Sequence, residues 1–516
     1  MNVVITCSGT GSRLKPITDY LNKALIKLDD AAIISHIIDS YPSDSKFIIT
    51  LGYKWEQVRE YLNILYPDID INYVWVDDFD GPKSSLLYSL SKTFKYLDQP
   101  FFYNACDTLI ENKDFTNLDN NKIYIAKSPI DNQYRKVNIN ENNSVELMDN
   151  PAEAHSYCYT GCAYIKDYED FINKSNEMLE HENSNSLSDA HILAKLPLDC
   201  EIVDNWIDIG NPIALEMAKQ KFKPEICVLP KKNQETYKVR GRIIKFFADT
   251  KKVEKLYNRS KELELCAPKC LYSGNFLFYN YIEGETLSHI LTPELLRLFL
   301  EWCNDYLWMG CAQSEENFFD KFYIQKAIDR VHLYLTANKN YNYDDMEINF
   351  RKMSNIYQLL ETIPEDFKKD VSMSTCHGDL VFENVIYTDP KNKTFPHLFK
   401  LIDWREGFLT NKGDAYYDIA KMKHNLIFDH ASIAENKFIV KFNENKCYFD
   451  PAMPEKNVEL IWVLDQWCKE WDYDIKTVDL LVALIQLSSS GVHTGQDSHL
   501  LFYMGWYNLQ MVLNHA

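Results

Sequence analysis

The sequence predicts an α/β chain in two parts: a mostly parallel sheet covered by helices, then a part that opens with a small sheet and continues mostly in helices. Three observations carry this. Short β-rich runs alternate with helical patterns through the first part, and this periodicity breaks near residue 225. Beyond the break, strand-like aromatic runs give way to long segments with apolar residues at three- and four-residue spacing. At roughly 100–200 residues per domain, 516 residues make two or three domains.

Taken in order, NVVIT, KFIITL, INYVWV and FFYNA read as strands, and AAIISHIIDSY, WEQVREYLNIL and SSLLYSLSKTF as the helices between them. Strand then helix, repeated, requires right-handed crossovers and hence a parallel sheet with both faces covered. The segment KPEICVLPKKNQETYKVRG interrupts the pattern with Pro and Lys, and RIIKFF and FLFYNYIEG then read as strands. LLRLFLEWCNDYLW opens the helical remainder. No fixed-period repeat or low-complexity tract is present, which excludes solenoids.

The chain carries 55 Lys+Arg against 75 Asp+Glu, a formal charge of -20. Such a charge repels phosphate backbones and anionic lipid, so the expectation is no nucleic acid and no membrane partner. Small anions must then be held by local sites. No uninterrupted apolar run reaches membrane-spanning length, and MNVVITCSGTGSRLKP lacks the pattern of a secretory signal. Thirteen cysteines, an odd number scattered through apolar segments, fit reduced thiols and a cytoplasmic location. Oligomeric assembly is left open by composition.

The first chemical constellation is VVITCSGTGSRLKPITDYLNKALIKL. A strand runs into Gly9, Thr10, Gly11 and Ser12, then Arg13 and Lys23. Glycines after a strand let backbone N–H groups close on phosphate oxygens, and the two cations offset a triphosphate's charge. Asp107 follows FFYNAC and Asp208 lies in WIDIGNP, where α/β sheets present ligands; two such aspartates suit one Mg²⁺ held against nucleotide phosphates. On these residues, G-x-G-x-R-L-x-P, Lys23, Asp107 and Trp206–Pro212, the chain resembles the sugar-phosphate nucleotidyltransferases. The resemblance implies a Rossmann-like nucleotidyltransferase domain over 1–225. It further implies that Gly9 to Arg13 wrap a nucleoside triphosphate, CTP or UTP, that Lys23 contacts phosphate, and that Asp107 and Asp208 bind Mg²⁺. It places Gly81 and Ser84 against base and ribose, and Tyr159 and Gly161 against the sugar. Asn22 stands where the family commonly has proline, and NPAE from Asn150 replaces its E-K-P.

The second constellation is STCHGDLVFENVIY followed by FKLIDWREGF. Asp379 and Asn384 share a loop and Asp403 follows another apolar strand, the H-x-D-x-x-x-x-N plus metal-aspartate spacing of kinases. H-G-D with I-D-W resembles the aminoglycoside phosphotransferase and choline kinase family. That resemblance implies a two-lobed, protein-kinase-like domain over 226–516, with Asp379 as catalytic base, Asn384 and Asp403 on Mg²⁺, and Lys245 on the ATP phosphates. Glu254, Glu262 and Glu264 compete as the partner of Lys245. His377 is expected to brace the loop, and Asp414 and Asp418 to stabilise the helical lobe.

A kinase makes a phosphomonoester and a nucleotidyltransferase consumes one. The joint expectation is a bifunctional enzyme that phosphorylates a sugar or polyol with ATP and then activates it with CTP or UTP for surface polysaccharide. The alternative is choline or ethanolamine, with Trp462, Trp467, Trp471, Trp506 and Tyr507 as a cation–π cage and a CDP-linked product. Against choline, the loop reads H-G-D where choline kinases usually read H-N-D.

Overall fold

The computed structural model describes residues 1–514 except 82–83, 131–132, 141–144, 182–186, 223–232, 311, 314–316, 340–342, 369–371, 389–390, 392–393 and 410–411. The expected boundary at 225/226 lies outside the described residues. The chain forms two compact units, Met1–Val253 with Leu271–Tyr281, and Glu254–Cys270 with Ile282–Ala516.

In the first unit, the opening strand Asn2–Thr6 is wholly buried and lies between Lys46–Leu51 and Phe101–Ala105, parallel to both, with Val4 facing Ile48 and Tyr103. Ile71–Trp75 extends this parallel part beyond Lys46–Leu51. A strand buried on both faces calls for a mainly apolar run, and Val3–Val4–Ile5 supplies it at the centre of NVVIT. Tyr157–Ile165 then joins Phe101–Ala105 antiparallel and carries Lys122–Lys127 and the Arg135–Ile139/Val145–Pro151 hairpin. Only the neighbouring strands Arg135–Ile139 and Val145–Pro151 return on each other here among the described residues, and Asp199–Ile202 adds to Lys122–Lys127 in parallel. Two apolar cores fill the faces, one around Val3, Ile5, Ile37 and Leu62, the other around Val4, Leu87, Tyr103 and Ile165.

A four-stranded antiparallel sheet, in the order Gln234–Val239, Arg242–Phe247, Phe276–Asn280, Leu271–Ser273, belongs to the first unit. Its Tyr237 is fully buried, donates to the Leu25 carbonyl at 2.7 Å and meets the Tyr61 ring edge-on at 5.2 Å. Phe246 and Phe276 join the same core as Leu25 and Tyr61. Arg240 reaches Asp39, and the backbone N–H of Asn275 donates to Glu60.

The second unit is mostly helical. Its long helices are Gln325–Ala337, Ala415–Ile427, Glu455–Glu470, Ile475–Ser490 and Gly495–Asn514. The last two are almost all apolar on their inner faces and form the packed centre. Strands Val385–Tyr387 and Phe399–Leu401 pair antiparallel at one side. The described cysteines are free thiols, and all but Cys200 are buried.

Candidate functional sites

The first site is assembled by a short strand pair. Trp206–Asp208 runs antiparallel to Thr108–Ile110 with Asp208 opposite Thr108, and the Ile209 N–H donates to the Asp107 carbonyl. Two aspartates a hundred residues apart in sequence are thereby neighbours. A β-carbon placed on Gly210 would lie 3.1 Å from Asp107 Oδ2, 3.1 Å from Asp208 Oδ1 and 3.6 Å from Arg13 Nη2. Glycine at 210 is what leaves the three side chains room to converge.

Lys23 completes the cluster, its Nζ 3.2 Å from Asp107 Oδ2. Asn22, where the family pattern has proline, fixes this lysine's turn: it is fully buried, donates to the Cys7 and Tyr53 carbonyls, and accepts from the Ala24 N–H. Gly11 has φ +64, and a β-carbon there would lie 3.0 Å from the Thr18 methyl and 3.2 Å from the Lys23 β-carbon, so the loop packs closely on both. Ser12 and Arg13 begin a 3₁₀ turn there. Burial alone would raise Asp107, but Lys23 and Arg13 more than offset it and hold the carboxyl below its ordinary value. Asp208 goes the other way, pushed up to about 6 by burial and by the Asp107 charge. Tyr134 donates to Asp208 at 2.8 Å, a partner the sequence reading did not single out. Among the described residues no three His, Cys, Asp or Glu side chains cluster as a metal site. Two carboxylates with nucleotide phosphates as further ligands is nevertheless the donor set Mg²⁺ commonly takes.

The other residues named for this site are distributed around the sheet. Gly161 has φ +85 at an irregularity in its strand, where a β-carbon would crowd Ala105 and the Thr108 hydroxyl. Tyr159 points inward, donating to Asp189 at 2.6 Å in the core, so its hydroxyl is engaged within the protein. The Ser84 N–H donates to the Gly81 carbonyl at 3.0 Å, and its hydroxyl donates to the Phe79 carbonyl at 2.6 Å. Lys245, named instead for the ATP phosphates of the second site, sits buried in Arg242–Phe247 within the first unit, its Nζ 5.8 Å from the Tyr279 ring centre.

The second site is a loop held from below. Asp418, fully buried on the Ala415–Ile427 helix, accepts the N–H groups of His377 and Gly378, each at 2.7 Å, and the Trp308 indole at 3.2 Å. His377 is also buried; its Nδ1 accepts from the Asp379 N–H and its Nε2 bonds the Ile402 carbonyl, and burial drops it to about 4. A neutral ring making two backbone bonds is a brace. Asn384 donates to the Asp379 carbonyl and accepts the Ile402 N–H on its own carbonyl, which puts Asn384 beside the turn containing Asp403. Asp403 is left-handed, φ 59.

Three features of this unit went unread in the sequence. Lys421, one helical turn from Asp418, pairs with Asp379 at 2.8 Å. Arg259, nearly fully buried, bonds Glu262 and the Cys376 carbonyl, so Glu262 is engaged by a residue three positions before it on its own helix. Lys326, Arg330 and Arg405 gather beside Lys421 around one cavity. Of the aromatic residues of the choline alternative, buried Trp467 stacks on the exposed Trp471 at 5.8 Å, while Trp506 is a core residue, Trp462 is exposed and Tyr507 packs on Phe449.

No family model matches the chain. Its N-terminal region resembles sugar-phosphate nucleotidyltransferases. It is 24% identical over 253 residues to the bifunctional protein GlmU of Methanocaldococcus jannaschii, covering 47% of this chain and 60% of that protein. It is 23% identical over 257 residues to the UTP–glucose-1-phosphate uridylyltransferase AglF of Haloferax volcanii, covering 44% of this chain and 98% of that one. Among solved structures, the CTP:phosphocholine cytidylyltransferase LicC of Streptococcus pneumoniae aligns at TM-score 0.37 and 14% identity over 43% of this chain and 98% of its own.

Proposed function

We propose that the chain is a bifunctional transferase, in which the Asp379 loop phosphorylates a small hydroxyl compound with ATP and the Asp107/Asp208 cluster then joins that phosphate to a nucleotide from CTP or UTP. The product would be a nucleotide-activated precursor for surface polysaccharide. What carries the reading is the convergence of Arg13, Lys23, Asp107 and Asp208 around Gly210, together with the nucleotidyltransferase likeness of that region.

In the first reaction the acceptor hydroxyl oxygen attacks the γ-phosphorus, the bond to ADP breaks, and Asp379 takes the hydroxyl proton. Lys421 holds the Asp379 carboxylate in place, and Asp418 and His377 fix the backbone on which it sits. In the second, an oxygen of the new phosphomonoester attacks the α-phosphorus of the triphosphate and pyrophosphate leaves. Arg13, Lys23 and the N–H groups of Gly9 to Ser12 would stabilise the charge moving onto the leaving group. Asp107 with Asp208, and Asn384 with Asp403, are the residues that would hold Mg²⁺, which supplies further charge neutralisation on the phosphates.

The test uses the full-length protein with ATP, Mg²⁺, CTP or UTP, and a panel of hydroxyl compounds, with ADP and pyrophosphate measured separately. Both products are expected with the right acceptor. In Asp379→Asn, pyrophosphate should vanish and return when the phosphorylated acceptor is supplied. ADP without pyrophosphate for every triphosphate would break the sequential scheme.

A further inference from the structure

The cavity beside the Asp379 loop has a volume of about 240 Å³ and is lined by Lys326, Arg330, Arg405, Lys421, Tyr417 and Ser489 among others. It is smaller than the roughly 300–1,000 Å³ of drug-sized pockets, so it suits a small metabolite. Its charge is the unusual feature. Four cations line it and no acidic side chain does among the described residues, in a chain whose formal charge is -20.

Each cation is placed by its element. Lys326 and Arg330 lie one turn apart on Gln325–Ala337, Tyr417 and Lys421 one turn apart on Ala415–Ile427, and Arg405 follows the Asp403 turn. Arg405 is anchored by donating its Nε–H to the Gly407 carbonyl and by lying over the Phe322 ring at 5.1 Å. Lys421 is paired with Asp379. Among the described residues, no carboxylate comes within ion-pair distance of Lys326, Arg330 or Arg405. Burial and the charges of Arg405, Lys421 and Arg330 pull the Lys326 ammonium down to about 7, with Asp379 acting weakly against them. Beyond the Lys421–Asp379 pair, three like charges without a carboxylate in contact are costly to the fold unless a ligand supplies an anion.

We infer that this cavity is the acceptor subsite of the kinase reaction and that it selects a hydroxyl compound bearing an anionic group, a carboxylate or a phosphate, besides the hydroxyl to be phosphorylated. The inference rests on the kinase reading of the Asp379 loop. The cavity adjoins Asp379 through Lys421, which lines it and pairs with that carboxylate at 2.8 Å. The anionic group would sit between Lys326, Arg330 and Arg405, leaving its hydroxyl toward Asp379. A quaternary or primary amine would meet four cations instead.

The experiment measures ADP release by the full-length protein with Mg²⁺·ATP and four acceptors: D-glycerate and glycerol 3-phosphate, which separate carboxylate from phosphate, neutral glycerol, and choline. An anionic acceptor should be preferred. Arg330→Gln and Lys326→Met should each raise its KM roughly 10- to 100-fold, the worth of one charge-assisted hydrogen bond, with the KM for ATP unchanged. Preference for glycerol or choline, or a rise in the KM for ATP alone, would overturn the inference while leaving the kinase reading intact. If no acceptor yields ADP, that reading fails, and calorimetry without ATP decides the subsite. Binding of inorganic phosphate or D-glycerate that is lost in both variants, with circular dichroism unchanged, upholds an anion site; binding identical in wild type and variants refutes it.

Discussion

At Gly210 a single methyl group decides whether three charged side chains can meet. Gly210→Ala would put a carbon 3.1 Å from both carboxylates, and should cut pyrophosphate release about 10- to 100-fold while ADP release holds. Removing a carboxylate goes further: Asp107→Asn or Asp208→Asn should lower pyrophosphate release about 10²- to 10³-fold, again read against unchanged ADP release. Two other aspartates govern stability. Burial raises Asp414 to about 7 and Asp418 to about 6, against an ordinary value of 3.8. Between pH 4 and about 7 the folded chain therefore holds more protons than the unfolded one, and stability falls as pH rises through that window. The slope amounts to at most roughly 1.4 kcal/mol per pH unit for each group. Asp414→Asn should flatten it, as urea midpoints at pH 4.5 and 7.5 would show; an unaltered slope would mean that Asp414 does not titrate in this range.

At the scale of elements, the loop and strand placements were legible where the signal is local. NVVIT, KFIITL and FFYNA are short runs rich in β-branched and aromatic residues, and they pair as parallel strands because their connections contain helices. Asp379 and Asn384 precede, and Asp403 follows, the paired strands Val385–Tyr387 and Phe399–Leu401, so the antiparallel pairing returns the chain to the same end. Tyr134, Lys421 and Lys326 were not legible, since each reaches its site from an element whose docking no spacing rule encodes. Tyr159 shows the converse: the resemblance sets it against the sugar, but its hydroxyl is engaged in the core by Asp189, a partner that no spacing in the sequence announces. The H-G-D turn is itself an element with a narrow tolerance. Gly378 has φ +83, and a β-carbon there would come within 2.8 Å of Arg405 and Phe408. Gly378→Ala should cost about 1–3 kcal/mol and reduce ADP release, with pyrophosphate release from supplied phosphorylated acceptor preserved.

At the scale of the molecule, the break in periodicity near residue 225 does not mark where the first core is complete. Tyr237, Phe246 and Phe276, all beyond that break, are buried in the same core as Leu25 and Tyr61. A fragment ending at residue 225 would leave that apolar face open. It should melt lower and bind more of a hydrophobic dye than one extended to residue 281; equal melting temperatures would show the small sheet to be dispensable. The sequence disclosed the sheet's strands through RIIKFF and FLFYNYIEG, but not its allegiance, because strand periodicity says which face is apolar and not what that face will cover.

The same sheet sets a clock during synthesis. The parallel strands and their helices leave the ribosome first and Tyr237 soon after, yet Phe276, which completes the aromatic cover over Tyr61, is encoded about 55 residues after the Pro212–Lys221 helix. At about 5–20 residues per second, the nascent first unit waits several seconds with that face wet, an interval in which chaperones would have their principal opportunity to engage it.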